Sequence, residues 1–331
     1  MNILLLMAHS IAEYDDVRMF SDLGYDVFSI GAYIDPAHPG DDKRPALKRA
    51  PRHPELAALC ADQMKAKEHL PDEVLDWADV IIAHHYLDRW VLPQWPRLRG
   101  KRVIWRTCGQ SDDRLEQLMG PLRRDGLQIV RYSPAEERYF SATGTYAGHD
   151  AVIRFGKYPD DYGPWDGWHR SVGNVTQDMA KRGDWCGLTF WQEATAGLTV
   201  RPAGPGSELI GGIGALPYQE LLAYLGGQRC YLYTGTLPAS YTLGLMEALL
   251  SGTPTICIGK EPWMGPAELF EADELAGNGA DTPEGAHVAL KELLRDGALA
   301  AALGSRQRKR AIDLFSVETV GPQWLELLGA P

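Results

Sequence analysis

Tyr231–Lys260, YLYTGTLPASYTLGLMEALLSGTPTICIGK, packs a strand, a small-residue loop, a short apolar helix and a second strand into thirty residues. Cys230 to Tyr233 reads as the first strand, Tyr241 to Leu250 as the helix and Thr255 to Ile258 as the second strand. In open α/β sheets ligands bind beyond the carboxyl ends of strands, and a helix N-terminus, with its free N–H groups and positive dipole end, suits a diphosphate. Ser240, Tyr241 and Thr242 fall at that N-terminus. Within the helix Glu247 is the only charge among Leu243, Leu245, Met246, Leu249 and Leu250. Burying a carboxylate without partners is costly. A ribose diol would supply partners; a solvated or arginine-paired place at the helix rim would serve equally.

The alternation of strand and helix extends in both directions. Upstream of this block, Gly197 to Arg201 reads as a strand and Pro217 to Leu225 as a helix opened by proline. Downstream, Pro283 to Arg295 and Ala298 to Leu314 read as helices, and Val317, Val320, Trp324 and Leu328 recur at helical spacing in a last segment able to pack on either domain. The N-terminal part begins with a buried strand, Asn2 to Met7, a helix over Glu13 to Leu23 and a strand at Asp26 to Ile30. Helices at Leu56 to His69, Asp72 to Trp77 and Arg114 to Arg124 alternate with strands at Val80 to Ala83, Arg102 to Trp105 and Gln128 to Tyr132. Between them Gly156 to Arg170, GKYPDDYGPWDGWHR, has neither period and reads as an interdomain connection. The expected organisation is an N-terminal Rossmann-like domain over 1–155, a linker over 156–170 and a C-terminal Rossmann-like domain over 171–331, with a cleft between the domains.

The thirty-residue block resembles the donor-binding segment of GT-B glycosyltransferases of the large retaining family four. There a helix carries a glutamate followed by Ala-Met/Leu-x-x-Gly-x-Pro-Val; here the run is Glu247-Ala248-Leu249-Leu250-Ser251-Gly252-Thr253-Pro254-Thr255. The resemblance implies a GT-B fold and transfer of a sugar from a nucleotide-sugar donor, a UDP-sugar for preference, to a hydroxyl. It assigns Glu247 to the donor ribose and the residues before it to the diphosphate. The nucleotide-sugar is then a co-substrate, and no further cofactor or metal is required. Lys181 and Arg182, with Thr176 nearby, match the basic pair that contacts the diphosphate in the family, a task suited to an arginine fork. Gly204-Pro205-Gly206-Ser207-Glu208 follows a strand and is placed near the nucleotide base. The pattern departs at Ala239, which stands where the family carries its first glutamate, eight positions before Glu247, so retention and inversion both stay open.

In the N-terminal domain only the order of elements follows the family. His9, Ser10 and Asp15 follow the first strand as acceptor contacts, and His9 or Asp15 would act as base in an inverting reaction. After the strand at Val80 to Ala83 come His84-His85-Tyr86, of which alternation turns one histidine to the cleft; His85 is the catalytic candidate. Arg106-Thr107-Cys108-Gly109-Gln110 forms a third cleft-facing loop, with Arg106 on phosphate or acceptor. The pairs Asp15-Asp16, Asp112-Asp113 and Asp160-Asp161 read as surface carboxylates rather than metal ligands.

Composition bounds the rest. The chain has 331 residues, 45% hydrophobic and 23% charged, enough for two ordinary cores. Five scattered cysteines with no Cys-x-x-Cys pair suggest reduced thiols. The short apolar start runs into Glu13, Asp15 and Asp16 without a basic leader, and no stretch approaches the ~20 apolar residues of a membrane span. A soluble cytoplasmic protein without membrane insertion is expected. A net charge of −11 disfavours broad attraction to nucleic acid. Even so, Arg89, Arg97, Arg99, Lys101, Arg102 and Arg106 interleave with Trp90, Trp95 and Trp105, a pattern fit for base extrusion or for a solvated face over a tryptophan core. Three readings follow: a transferase acting on a glycan or small molecule, a phage-type enzyme acting on 5-hydroxymethylcytosine in DNA, and a nucleotide-sugar-binding module or epimerase of the same fold.

Overall fold

The computed structural model describes residues 1–7, 9–31, 44, 53–60, 69–85, 87–109, 112–258, 269 and 279–331. Residues 61–68 of one expected helix, Tyr86, Gln110, Lys260 and the side chain of Arg89 lie outside the described residues. The chain divides into two compact units, Met1–Lys157 with Val317–Pro331, and Tyr158–Ser316. Of the stretch expected to connect domains, residues 156–157 belong to the first unit and 158–170 to the second.

The first unit holds a parallel sheet of β1 (Asn2–Leu6), β2 (Asp26–Ile30), β3 (Val80–Ala83), β4 (Arg102–Arg106), β5 (Gln128–Arg131) and β6 (Ala151–Val152). Their order in space is β2-β1-β3-β4-β5-β6. Central strands covered on both faces require unbroken apolar runs, and Ile3 to Leu6 and Ile81 to Ala83 are sealed from solvent. The Val317–Leu328 helix completes this unit. Its Trp324 meets Phe20 edge-on at 5.1 Å, and Arg102 donates from Nη1 to the Leu328 carbonyl at 3.0 Å.

One expectation is reversed here. Asp15 and Asp16 are interior groups, 6% and 1% exposed, on the Ser10–Asp22 helix. Each carboxylate meets a cation delivered from elsewhere in the chain: Lys157 Nζ lies 2.5 Å from Asp15, and Arg106 bonds Asp16. Glu13, one turn earlier, accepts from Ser29 Oγ at 2.7 Å. Asp112 instead caps the Asp113–Arg124 helix by accepting from Leu115 N at 2.8 Å.

The second unit holds β7 (His169–Val175), β8 (Val200–Ala203), β9 (Gln228–Tyr233), β10 (Thr255–Ile258) and β11 (Gly279–Ala280), all parallel, in the order β11-β10-β9-β7-β8. Val172, Trp191, Leu232, Ile256, Leu290 and Leu303 pack in its core. β7, HRSVGNV, lacks the apolar run of a central strand, and most of its buried polar groups are bonded from inside. Ser171 Oγ donates to Gln228 Oε1 at 2.7 Å, Asn174 Nδ2 donates to the Leu232 carbonyl at 2.8 Å, and the Tyr224 hydroxyl accepts from Asn174 N at 3.1 Å. Gly173 is a requirement of that packing: a Cβ there would lie 2.8 Å from Gln228 Cγ and 2.9 Å from the Tyr224 hydroxyl.

A second buried charge cluster lies in the first unit. Arg131 forks onto Glu116, with Nη2 at 2.8 Å from Oε2, and Glu136 Oε1 lies 4.0 Å away. One guanidinium neutralises one carboxylate. Burial therefore pushes the Glu136 carboxyl from its ordinary 4.5 up to about 7, against the pull of Arg131 and of the Thr107 hydroxyl that bonds it at 2.6 Å. In the native state Glu136 keeps its proton to near pH 7, whereas the unfolded chain releases it near pH 4.5, so this group lowers stability as pH rises through that window. Glu136→Gln should flatten the fall, leaving the variant more stable than wild type at pH 8 than at pH 4 by on the order of 1–3 kcal/mol in urea unfolding.

Candidate functional site

Each sheet has one point where successive connections leave in opposite directions, and in such sheets the loops beyond the carboxyl ends form the binding crevice. In the first unit that point lies between β1 and β3; in the second it lies between β7 and β9.

At the first switch point three loops bring His9, His85 and Cys108 together. His9 follows β1 at the N-cap position of the Ser10–Asp22 helix, with extended backbone and no side-chain cap bond. Ser10, half-buried, opens the helix. His84 and His85 follow β3, and alternation separates them. The His84 side chain is fully enclosed, its Nε2 at 3.1 Å from Asp16 Oδ2. His85 is half-buried, its ring 6.3 Å from His9 at an interplanar angle of 16°, and its Nε2 lies 3.3 Å from Cys108 Sγ. His85 is thus the histidine turned toward the loop edge.

Beneath these rings lies the Asp16–His84–Arg106 cluster. Arg106 was expected on a cleft-facing loop. It is instead the last residue of β4, fully buried, donating from Nη1 to Asp16 and from Nη2 to the Arg154 carbonyl at 3.1 Å. Its guanidinium lies 4.6 Å from the Phe155 ring and 5.1 Å from that of Trp324. The side chain turns inward because a carboxylate and two aromatic faces await it there, a surrounding suited to a flat, weakly hydrated cation. Burial opposes ionisation of Asp16, yet Arg106 and then His84 hold its carboxyl below the usual range. Burial holds His84 down, with Arg106 adding to it against Asp16, so near pH 7 the ring is neutral between two ionised partners. Asp15, paired with Lys157, is interior in the same way. In the sequence Asp16 reads as a surface carboxylate, and Cys108 has no role beyond its place in a loop. Ninety positions separate Asp16 from Arg106, and no local spacing signals the pair.

The residues offered for nucleic acid are committed within the first unit. Trp90, Trp95 and Trp105 are 3%, 7% and 0% exposed. Arg97 pairs with Asp72, Lys101 Nζ donates to the Leu75 carbonyl at 2.6 Å, Arg102 Nε donates to Gln128 Oε1 at 2.9 Å, and exposed Arg99 lies 3.9 Å from Asp125.

At the second switch point the segment after β9 meets the segment after β7. Thr234 Oγ1 donates to the Cys186 carbonyl at 2.7 Å, and Leu237 N donates to the Trp185 carbonyl at 2.8 Å. The helix begins at Leu243 rather than Tyr241, with half-buried Thr242 at its N-cap and no side-chain cap bond. Ser240 and Tyr241 precede the helix and are buried, the Tyr241 ring 5.4 Å from Phe315. Glycine at 244 lets the first turn reach the end of β7, since a Cβ there would lie 3.1 Å from the Val175 carbonyl oxygen. The helix's first N–H groups, which have no intrahelical acceptor, thus stand over the switch point. Thr176 follows β7 directly and is half-buried.

Glu247 lies one turn into that helix and is 2% exposed. Burial raises the Tyr231 hydroxyl, and Tyr224, Tyr233 and the Glu247 charge add to the rise against the bond it makes to Val175. Lys181 and Arg182 are exposed on the Met179–Arg182 turn; Lys181 Nζ lies 2.9 Å from Asp178, and Arg182 Nη1 donates to the Gln177 carbonyl at 3.4 Å. Gly204 to Glu208 is tied to the same turn through Asp178 N, which donates to the Pro205 carbonyl at 2.7 Å. Among the described residues no three histidine, cysteine, aspartate or glutamate side chains are grouped to hold a metal ion, and no helix is long and apolar enough to cross a membrane.

No protein-family model matches the chain, and neither does any curated protein. Its fold does match solved structures. Sucrose-phosphate synthase from Thermosynechococcus elongatus superposes with a TM-score of 0.70 at 15% identity, over 99% of this chain and 98% of that one. Anabaena HepE, solved in complex with UDP-glucose, gives 0.69 at 15% identity with all of both chains covered. The DNA-modifying enzyme beta-glucosyltransferase gives 0.57 at 12% identity over 99% and 98%. The fold is GT-B: two parallel α/β units of the kind these enzymes share.

The Asp16–Arg106 pair yields a prediction about stability. Arg106→Gln leaves a buried carboxylate without its cation and should destabilise the fold by about 3–5 kcal/mol in chemical denaturation. Asp16→Leu with Arg106→Met should recover a large part of that loss.

Proposed function

We propose that the chain is a glycosyltransferase that moves a sugar from a nucleotide-sugar donor, a UDP-sugar for preference, to a hydroxyl acceptor. The observation that carries this reading is the second switch point, where a helix N-terminus is drawn by Gly244 against the end of β7 with Glu247 one turn inside. A nucleoside diphosphate needs positive dipole at its phosphates and a carboxylate for its ribose hydroxyls. The likeness in fold to HepE, solved with UDP-glucose, supports the same ligand class.

The second unit, 158–316, is the donor side. Thr242, Thr176 and the helix N–H groups would hold the diphosphate, Lys181 and Arg182 would balance its charge, and Glu247 would take the ribose. Ser240 and Tyr241 would act by fixing the loop. When the bond from the anomeric carbon to the diphosphate breaks, charge grows on the departing phosphate, where dipole and cations favour it. The first unit is the acceptor side: His85, or His9 beside it, would take the proton of the attacking hydroxyl, and Ser10 would orient the acceptor. His84, Asp15 and Arg106 would support these groups from the interior. The nucleotide-sugar would be a co-substrate, and free cysteines and acidic charge support a cytoplasmic location.

A hydroxymethylated DNA base is a second acceptor reading, favoured by the fold likeness to a DNA-modifying glucosyltransferase. With its tryptophans buried, the first unit would have to hold such a base by other groups.

UDP and UDP-glucose should raise the melting temperature, and UDP should be released in the presence of an acceptor. Glycans, small alcohols and hydroxymethylcytosine DNA are the acceptor classes to compare. Stabilisation without any turnover would mark a binding module, and conversion of the free nucleotide-sugar an epimerase. Lack of stabilisation by every UDP- and GDP-sugar would remove the proposal. Glu247→Ala should raise the UDP dissociation constant at least about tenfold, or 1.4 kcal/mol, by calorimetry. For His85→Ala we expect turnover to fall by about a hundredfold or more while donor affinity changes less than threefold.

A further inference from the structure

None of the five cysteines is in a disulfide, and four are sealed: Cys60, Cys186 and Cys230 are 0% exposed and Cys257 is 1%. Burial pushes the thiols of Cys186, Cys230 and Cys257 up, away from the reactive thiolate. Cys108 stands apart. It is half-buried, it follows β4 beside the first switch point, and its sulfur lies 3.3 Å from His85 Nε2 and 3.6 Å from the His84 carbonyl oxygen.

The surroundings hold His85 in place to act on that sulfur. Its ring is flanked by His9 at 6.3 Å and by His84 at 6.2 Å, both within 20° of parallel. His84 is itself held by Asp16, which Arg106 neutralises from below. The titratable groups facing the thiol's neighbourhood are therefore His85 and His9 at the loop edge, His84 with Asp16 and Arg106 beneath them, and Glu136 bonded to the adjacent Thr107. The enclosed Asp16–Arg106 pair carries no net charge, and His85 Nε2, at 3.3 Å, is a base within hydrogen-bonding reach of the sulfur.

We infer that Cys108 is a modification site: a thiol activated by His85 that takes soft carbon electrophiles and hydrogen peroxide. The Sγ proton passes to His85 Nε2. With an alkyl iodide the thiolate forms an S–C bond as the C–I bond breaks and iodide leaves. With hydrogen peroxide an S–O bond forms as the O–O bond breaks; the departing hydroxide takes the proton from His85 and leaves as water. The sulfur is oxidised to a sulfenic acid and the peroxide is reduced. This chemistry shares His85 with the proposed proton transfer, but it needs neither donor nor acceptor.

The test is iodoacetamide labelling of the native full-length protein from pH 5 to 10, quantified by peptide mass spectrometry at each cysteine. Cys108 should react at least about tenfold faster than any other cysteine, and its rate should change less than threefold between pH 6 and 8. A thiol without a base falls about tenfold per pH unit below its pKa near 8.5. His85→Gln should restore that ordinary profile, slowing Cys108 about tenfold at pH 7 but not at pH 10. Brief peroxide treatment followed by dimedone should tag Cys108 alone. A tenfold-per-unit profile in the wild type, or labelling of Cys108 no faster than of the buried thiols, overturns the inference whether or not the variant folds.

Discussion

The ion pair between Asp16 and Arg106 is the constraint on which the first unit is arranged. It joins the first helix to the fourth strand, and its guanidinium also holds the Arg154 carbonyl and the faces of Phe155 and Trp324. Five separate segments thus meet at one buried cation, once His84, just beyond the third strand, is added. A charge so enclosed tolerates only the geometry that neutralises it. The positions of the loop ends above it, where His9, His85 and Cys108 gather, follow from that fixed floor.

The second unit solves the same problem with neutral groups. Its central strand carries Ser171 and Asn174 where hydrocarbon would be usual, and Gln228 and Tyr224 close their hydrogen bonds. Close backbone approach, permitted by Gly173 and Gly244, then brings a helix N-terminus over the strand end. Charge in one unit and backbone proximity in the other prepare edges of different chemistry: imidazole and thiol in the first, amide dipole and carboxylate in the second.

The strands built mainly on apolar residues, β1, β2, β3 and β10, were legible in the sequence to within a residue, because a strand buried on two faces has little compositional freedom. β7 escaped as a complete strand because its polar residues are matched by partners 50 and more positions away. The reading of Asp15 and Asp16 as surface groups failed for the same reason: their cations arrive from positions 157 and 106. Tyr241 was placed inside a helix that begins two residues later, since an aromatic residue at a helix boundary carries no capping signal of its own.

The sequence by itself determined the α/β class, the succession of strands and helices, and the segment of strand, loop and helix that holds Glu247. Periodicity is local, and local spacing suffices to write it. Which of two adjacent histidines turns outward, which arginine is a buried partner rather than a surface contact, which unit receives the last helix, and which of five thiols stands beside an imidazole were decided only by the tertiary structure. Those outcomes depend on burial and on pairing between residues far apart in the chain, and neither quantity exists until the sheets have formed.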